Sequence, residues 1–149
     1  MALRDAMNAE TSALYAPRTA ELDAEQRAAV DEVLATRDDE FVATVVAFDG
    51  DAPAGHAALR PAPGEPEGTL EVKKVFVPVQ FRGRGVSKLL MSELEAIALG
   101  RGATRLVLQT GNLQTEAVSL YEAIGYRAIP PYGGYGVIPA TLCFEKILA

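Results

Sequence analysis

Leu70-Glu71-Val72-Lys73-Lys74-Val75-Phe76-Val77, followed two residues later by Gln80-Phe81-Arg82-Gly83-Arg84-Gly85-Val86-Ser87, is the stretch that decides the reading of this chain. The first segment is rich in β-branched and aromatic residues and predicts a strand. The second opens a helical run that ends near Gly100, with Val86, Leu89, Leu90, Leu94, Ile97 and Ala98 at helical spacing. A strand, a glycine-bearing turn and a helix N-terminus together form an anion cradle. The first N–H groups of the helix have no intrahelical acceptor, and the helix dipole adds partial positive charge. Gly83 and Gly85 remove side chains that would hold a phosphate away. A ligand carrying phosphates is therefore expected here.

Two common phosphate loops fail on specific residues. A nucleoside-triphosphate loop ends in Gly-Lys-Ser/Thr, which is absent. The dinucleotide fingerprint needs a third glycine where Lys88 stands, and an acidic residue near the positions of Arg105 and Leu106. What remains, Gln-x-x-Gly-x-Gly after a strand, resembles the GNAT N-acetyltransferase superfamily. The resemblance extends to Ala117–Tyr126, with its Leu120-Tyr121 pair and Gly125-Tyr126 step, and to a closing strand from Thr141 to Ile147. It is clear from Leu70 onward and weaker from Phe41 to Arg60.

The resemblance implies acetyl-coenzyme A as co-substrate. Its pyrophosphate is expected on the N–H groups from Arg82 to Ser87, that is on Arg82, Gly83, Arg84, Gly85, Val86 and Ser87, with Gln80 completing the motif. Arg82 and Arg84 add charge. The pantetheine arm is expected against strand-edge backbone near Phe76 and Val77, ending at Pro78, which has no N–H. The family's tyrosine falls on Tyr121, the expected acid for the leaving thiolate. Glu71 is the expected base, and a salt bridge from Glu71 to a lysine is an equal alternative. Gln114 stands where relatives often carry an asparagine that contacts the cofactor arm, and Asn112 is a nearby substitute. The implied reaction is direct acetyl transfer to a primary amine, on a small molecule or a protein. The alternative is a non-catalytic acyl-coenzyme A binding or regulatory module.

Length and composition set bounds on this reading. A chain of 149 residues suits one domain. No run of about 18 apolar residues exists, so no membrane span is expected. Met1–Ala6 lacks the layout of a secretory signal. The single cysteine, Cys143, lies among Leu142, Phe144 and Ile147 and is expected to be buried and inert rather than an acetyl carrier. It suits a reducing, cytoplasmic compartment. The sole histidine, His56, sits in a predicted strand and reads as structural. No cluster has metal-ligand spacing. The net charge of −6 argues against nucleic-acid binding and mildly favours a cationic partner such as an amine.

Along the chain, Ala2–Tyr15 predicts a helix broken by Pro17. Asp23-Ala24-Glu25-Gln26 resembles a capping box before a second helix. Phe41–Phe48 and Ala54–Leu59 read as a hairpin around Asp49-Gly50-Asp51. Arg105–Gln109 is a short strand, Thr115 is a candidate helix cap, and Tyr126–Ile129 is another strand. Pro130–Gly136 reads as a loop tip whose Tyr132 and Tyr135 are candidates for lining an aromatic pocket. The expected fold is α/β: a mixed, mostly antiparallel sheet with splayed central strands, flanked by helices. Relatives often open with a strand, whereas this chain reads as opening with a helix. The acceptor is not legible, and a homodimer is left open.

Overall fold

The computed structural model describes residues 2–148. Four helices, α1 (Ala2–Thr19), α2 (Ala24–Leu34), α3 (Val86–Gly100) and α4 (Thr115–Ala123), surround six strands. The strands are β1 (Ala43–Asp49), β2 (Ala52–Pro61), β3 (Thr69–Phe76), β4 (Arg105–Gly111), β5 (Arg127–Ile129) and β6 (Thr141–Ile147). They form one sheet in the order β1-β2-β3-β4-β6-β5. Every neighbouring pair is antiparallel except β3–β4, which is parallel.

Successive residues on a strand face opposite sides, and the core divides accordingly. Leu106 and Leu108 of β4 and Phe144 of β6 join Leu90, Met91 and Leu94 of α3 and Tyr121 of α4. Val107 and Cys143, one residue out of phase, join Tyr132, Tyr135 and Val33 of α2 on the other face. Helices α3 and α4 therefore cover one side. On the other side α2 packs on a short 3-10 turn at Tyr135–Val137, and α1 touches β2 and β3.

The β3–β4 seam positions the site. Its pairing runs only from Thr69, Leu70 and Glu71 to Arg105, Leu106 and Val107. β3 continues to Phe76 and β4 to Gly111, so the strands part beyond Glu71, which is the expected splay. A bulge lies on the diverging half of β3. His56 pairs with Phe76 and Ala58 with Lys73, so three steps on β3 face two on β2. Lys74 takes the odd position, with φ +60°. The His56 ring holds the bulge, its Nδ1 meeting the Lys74 carbonyl at 2.5 Å. Such a bulge bends its strand and increases the local twist, which accounts for the departure of β3 from β4. His56 is thus structural, and burial lowers its pKa.

Three local expectations need correction. Pro17 does not break α1, because it stands in the last turn, where its missing N–H costs a single bond. Ala20 still donates to the Ala16 carbonyl at 3.0 Å. Thr115 is the first residue of α4 rather than its cap. Gln114 holds the cap position without a side-chain bond. The Pro130–Gly136 segment is not an open tip: Tyr132 and Tyr135 are buried in the second core. The capping box of α2 forms as expected, with Gln26 N–H to Asp23 at 2.7 Å and Asp23 N–H to Gln26 at 2.9 Å.

Candidate active site

The splay opens a cleft of about 1340 Å³. Its walls are Val72–Phe76 of β3 with the following Val77, Leu108–Gly111 of β4, the glycine turn, and the facing sides of α1 and α2. Phe76 and Val77 lie on this wall as expected, beside the stretch of β3 that has no β4 partner.

At one end sits the cradle. Gly85 caps α3 in the left-handed conformation, φ +77°, and no side chain caps the helix. The first intrahelical bond runs from Leu89 N–H to the Gly85 carbonyl. The N–H groups of Val86, Ser87 and Lys88 therefore have no acceptor within the helix. A Cβ built on Gly83 or Gly85 meets no protein atom within 4 Å, so their faces are open to a ligand. Both also have positive φ, which a side chain would strain.

The cradle is narrower than the sequence suggests. The Arg82 N–H already donates to the Val79 carbonyl at 3.3 Å. The Arg82 side chain donates from Nε to the Val77 carbonyl at 2.8 Å, and from Nη2 to both Glu10 oxygens at 2.7 and 2.6 Å. Gln80 lies exposed on a short 3-10 turn and, like Arg84, is absent from the cleft lining. Arg84 instead reaches Asp49 at 3.0 Å. The turn thus aims its backbone at the cleft, with the Gln80 and Arg84 side chains off the lining.

Helix α1 crosses the open side and is tied to both walls. Glu10 holds Arg82 on the cradle side. On the β4 side Leu113 N–H donates to the Tyr15 hydroxyl at 3.2 Å, and Arg18 donates to the Asn112 side chain at 2.7 Å. Gly111 is required by this approach, since a Cβ there would fall 1.8 Å from the Tyr15 oxygen. Asn112 is thus engaged with Arg18 and lies off the lining, whereas Gln114 is on it.

Tyr121 lines the cleft from α4 and is 6% exposed. Burial alone raises its pKa, to about 12. The phenol stays protonated at physiological pH, and its hydroxyl is a proton or hydrogen-bond donor for whatever enters.

Glu71 is not on the wall. It is fully buried, accepting from Arg60 Nε at 2.6 Å, Tyr132 hydroxyl at 2.5 Å and Tyr135 hydroxyl at 2.8 Å. Its salt bridge is to an arginine on the neighbouring strand rather than to a lysine, because the β2–β3 register places Arg60 opposite Glu71. Both of its oxygens are occupied and it does not line the cleft, so the geometry is that of a buried ion pair, linked to the cleft wall only through the Tyr135 hydroxyl and Lys73. Burial, and then the adjacent Glu71 carboxylate, hold the Tyr132 and Tyr135 phenols well above their ordinary pKa. These tyrosines present their hydroxyls to Glu71, and neither lines the cleft. Sequence reasoning missed this network and the α1 tethers, since the partners lie far apart along the chain.

Cys143 is buried, which raises its thiol pKa. Among the described residues no group of three His, Cys, Asp or Glu side chains could hold a metal, and no helix is long and apolar enough to cross a membrane.

A parallel seam that opens beside a glycine-capped helix N-terminus defines an acyl-coenzyme A type fold. The Acetyltransferase (GNAT) family model matches residues 3–126, and the chain belongs to that family. An IAA acetyltransferase of Azospirillum brasilense is 36% identical over 78 residues, covering 52% of this chain and 51% of that protein. The chain spans about half or less of the length of the curated relatives it matches first. A Klebsiella pneumoniae protein assigned to the acyl-CoA N-acyltransferases superposes with a TM-score of 0.68 at 28% identity, over 93% of this chain and 92% of that one. The fold is also that of Salmonella typhimurium yncA, solved with its cofactor acetyl-CoA, with a TM-score of 0.60 at 16% identity over 71% and 64% of the two chains.

Proposed function

We propose that this chain transfers an acetyl group from acetyl-coenzyme A directly to a primary amine. The observation that carries the reading is the β3–β4 seam, which is paired only as far as Glu71 and Val107 and opens toward the cradle. The cradle N–H groups of Val86, Ser87 and Lys88 suit a pyrophosphate, and the unpaired edge at Phe76 and Val77 suits an amide arm. A relative solved with acetyl-CoA supports this choice of ligand.

In the reaction the neutral amine attacks the thioester carbonyl, a C–N bond forms and the C–S bond breaks. Tyr121 gives its proton to the departing sulfur, and the proton that the acylated nitrogen sheds passes through solvent in the cleft and restores the phenol. An ordinary thiol has a pKa of about 8.5, below that of the buried phenol, but the same low-dielectric wall raises the basicity of a thiolate formed there. The pair is thus better matched in the cleft than in water. The acceptor amine sits on a small molecule or a protein. The buried free thiol of Cys143 suits a reducing, cytoplasmic setting.

The test is calorimetry with coenzyme A, followed by thiol release from acetyl-CoA across a panel of primary amines. Micromolar binding with amine-dependent release is expected. Binding with no release for any amine would mark a binding module. Absence of binding would remove the proposal.

A further inference from the structure

We infer that the acceptor carries a carboxylate as well as its amine, and that the Lys73 ammonium receives that carboxylate. This inference rests on the proposed transfer reaction and names its substrate class.

Lys73 shares a strand face with Glu71 and is the next residue on that face, just past the last β3–β4 pair. It therefore stands where the seam opens, on the cleft wall. Among the described residues its Nζ has one hydrogen-bond partner, the Tyr135 hydroxyl at 3.2 Å, and it lies 5.3 Å from the centre of that ring. The hydroxyl is fully used: it donates to Glu71 and accepts from Arg60 and Lys73. An ammonium has three donors, so two of the Lys73 N–H bonds are left for the cleft.

The charge balance points the same way. Arg60 already neutralises Glu71, contacting it at 2.6 Å, and reaches Glu40 at the solvent edge at 2.6 Å. Among the described residues no carboxylate lies within ion-pair distance of Lys73. The groups acting on it are Glu71 and Glu40, which favour its charge, and Arg60 and Lys74, which oppose it. Burial outweighs them all and brings its pKa down to about 8. The protein has placed a cation on the cleft wall without supplying its counter-ion.

Coenzyme A does not supply it. Lys73 stands three residues before the end of β3, about 10 Å at the rise of a strand, and the cradle N–H groups lie beyond the following turn. The pantetheine arm is uncharged. The other substrate is left to bring the anion, and the part of the cleft between α1 and α2 is open to it. There the lining carries the apolar side chains of Val30, Leu34, Ile138 and Pro139 beside the charged Arg27 and Asp31. A small amino acid, with its carboxylate on Lys73 and its side chain on this wall, matches that chemistry.

The experiment measures initial rates with acetyl-CoA for matched pairs of L-amino acids and their α-carboxamides. The α-amides of aspartate and glutamate distinguish a side-chain carboxylate from a main-chain one. The amine of an α-amide is the less basic and more often neutral, so preference for the acid cannot come from amine ionisation. For the best pair the wild type should favour the acid in kcat/KM by about tenfold or more, the strength of a charge-assisted hydrogen bond. Lys73→Met should abolish that preference through a higher KM for the acid alone, with the KM for acetyl-CoA unchanged, and Lys73→Arg should restore part of it. Lys73→Gln serves if the Met variant folds poorly. Equal use of acids and amides overturns the inference. So does an equal loss of kcat for both in the Met variant, which would make Lys73 a base. Coenzyme A binding with turnover only of amines lacking a carboxylate overturns the substrate class and leaves the transfer reading standing. No coenzyme A binding removes both.

Discussion

The two halves of the β3–β4 seam differ in what they do with polar groups. In the closed half, up to Glu71, every charge finds a partner inside the protein: Glu71 holds Arg60, Tyr132 and Tyr135 and has no exposure. In the open half, from Val72 to Phe76, β3 has no β4 partner, Lys73 lacks a carboxylate, and α3 begins with uncapped N–H groups. One strand thus passes from satisfied to unsatisfied within two residues. The lesson is that the closed half is structural and the open half is reserved for ligands, although both carry charged residues of similar appearance in the sequence.

That division can be broken from either side. The largest effect is expected at Glu71→Ala, which leaves the buried Arg60 with Glu40 as its sole carboxylate and removes the acceptor of the Tyr132 and Tyr135 hydroxyls; it should cost about 3–5 kcal/mol of stability, read as a lower urea midpoint. A stable, folded Glu71→Ala protein that loses only turnover would move Glu71 into the catalytic half. Next comes Tyr121→Phe, which should lower kcat on the order of a hundredfold while the KM for acetyl-CoA stays nearly constant. Wild-type turnover in that variant would reduce Tyr121 to packing. Gly85→Glu places a carboxylate at the cradle and strains a left-handed position. Coenzyme A affinity should fall roughly thirtyfold, the equivalent of about 2 kcal/mol, with the fold retained by circular dichroism. Unchanged affinity by calorimetry would show that the phosphates sit elsewhere.

The smallest effect is expected at Cys143→Ala. The thiol is buried in the second core, with Val107 and Tyr132, and held protonated by burial. Turnover should stay within about twofold of the wild type, with a stability loss of about 1 kcal/mol for the smaller side chain. Intersecting initial-rate plots for the wild type accompany this expectation. Parallel plots with an acetylated Cys143 in mass spectra would show a covalent relay instead.

The sequence made the open half legible and left the closed half hidden. Gly83, Gly85 and the periodicity of α3 are local signals, and each lies within a few residues of the chemistry it serves. Glu71 was visible as a carboxylate on the right strand, but its role depends on Arg60 across the hairpin register and on tyrosines more than 60 residues away. Tyr132 and Tyr135 sit among prolines and glycines, a composition that reads as an exposed turn. Only the buried carboxylate beneath them explains why they fold inward. Lys73 was legible only as a neighbour of Glu71, because nothing local shows that a lysine lacks a counter-ion. Arg82 and Arg84 show the opposite error: basic residues beside a phosphate turn read as phosphate ligands, yet Glu10 and Asp49 hold them.

The grip of Glu10 on Arg82 bears on how affinity depends on ionic strength. A guanidinium that is free in solution sheds a counter-anion when it meets a phosphate, and that release weakens with added salt. Arg82 carries no such loose counter-ion, because a tethered carboxylate on α1 already fills its fork. An arriving phosphate that engages this arginine trades one fixed anion for another. Affinity for a phosphorylated ligand should therefore decline less steeply with salt than the number of basic residues around the cradle suggests. Glu10→Gln should steepen that decline while tightening binding at low salt.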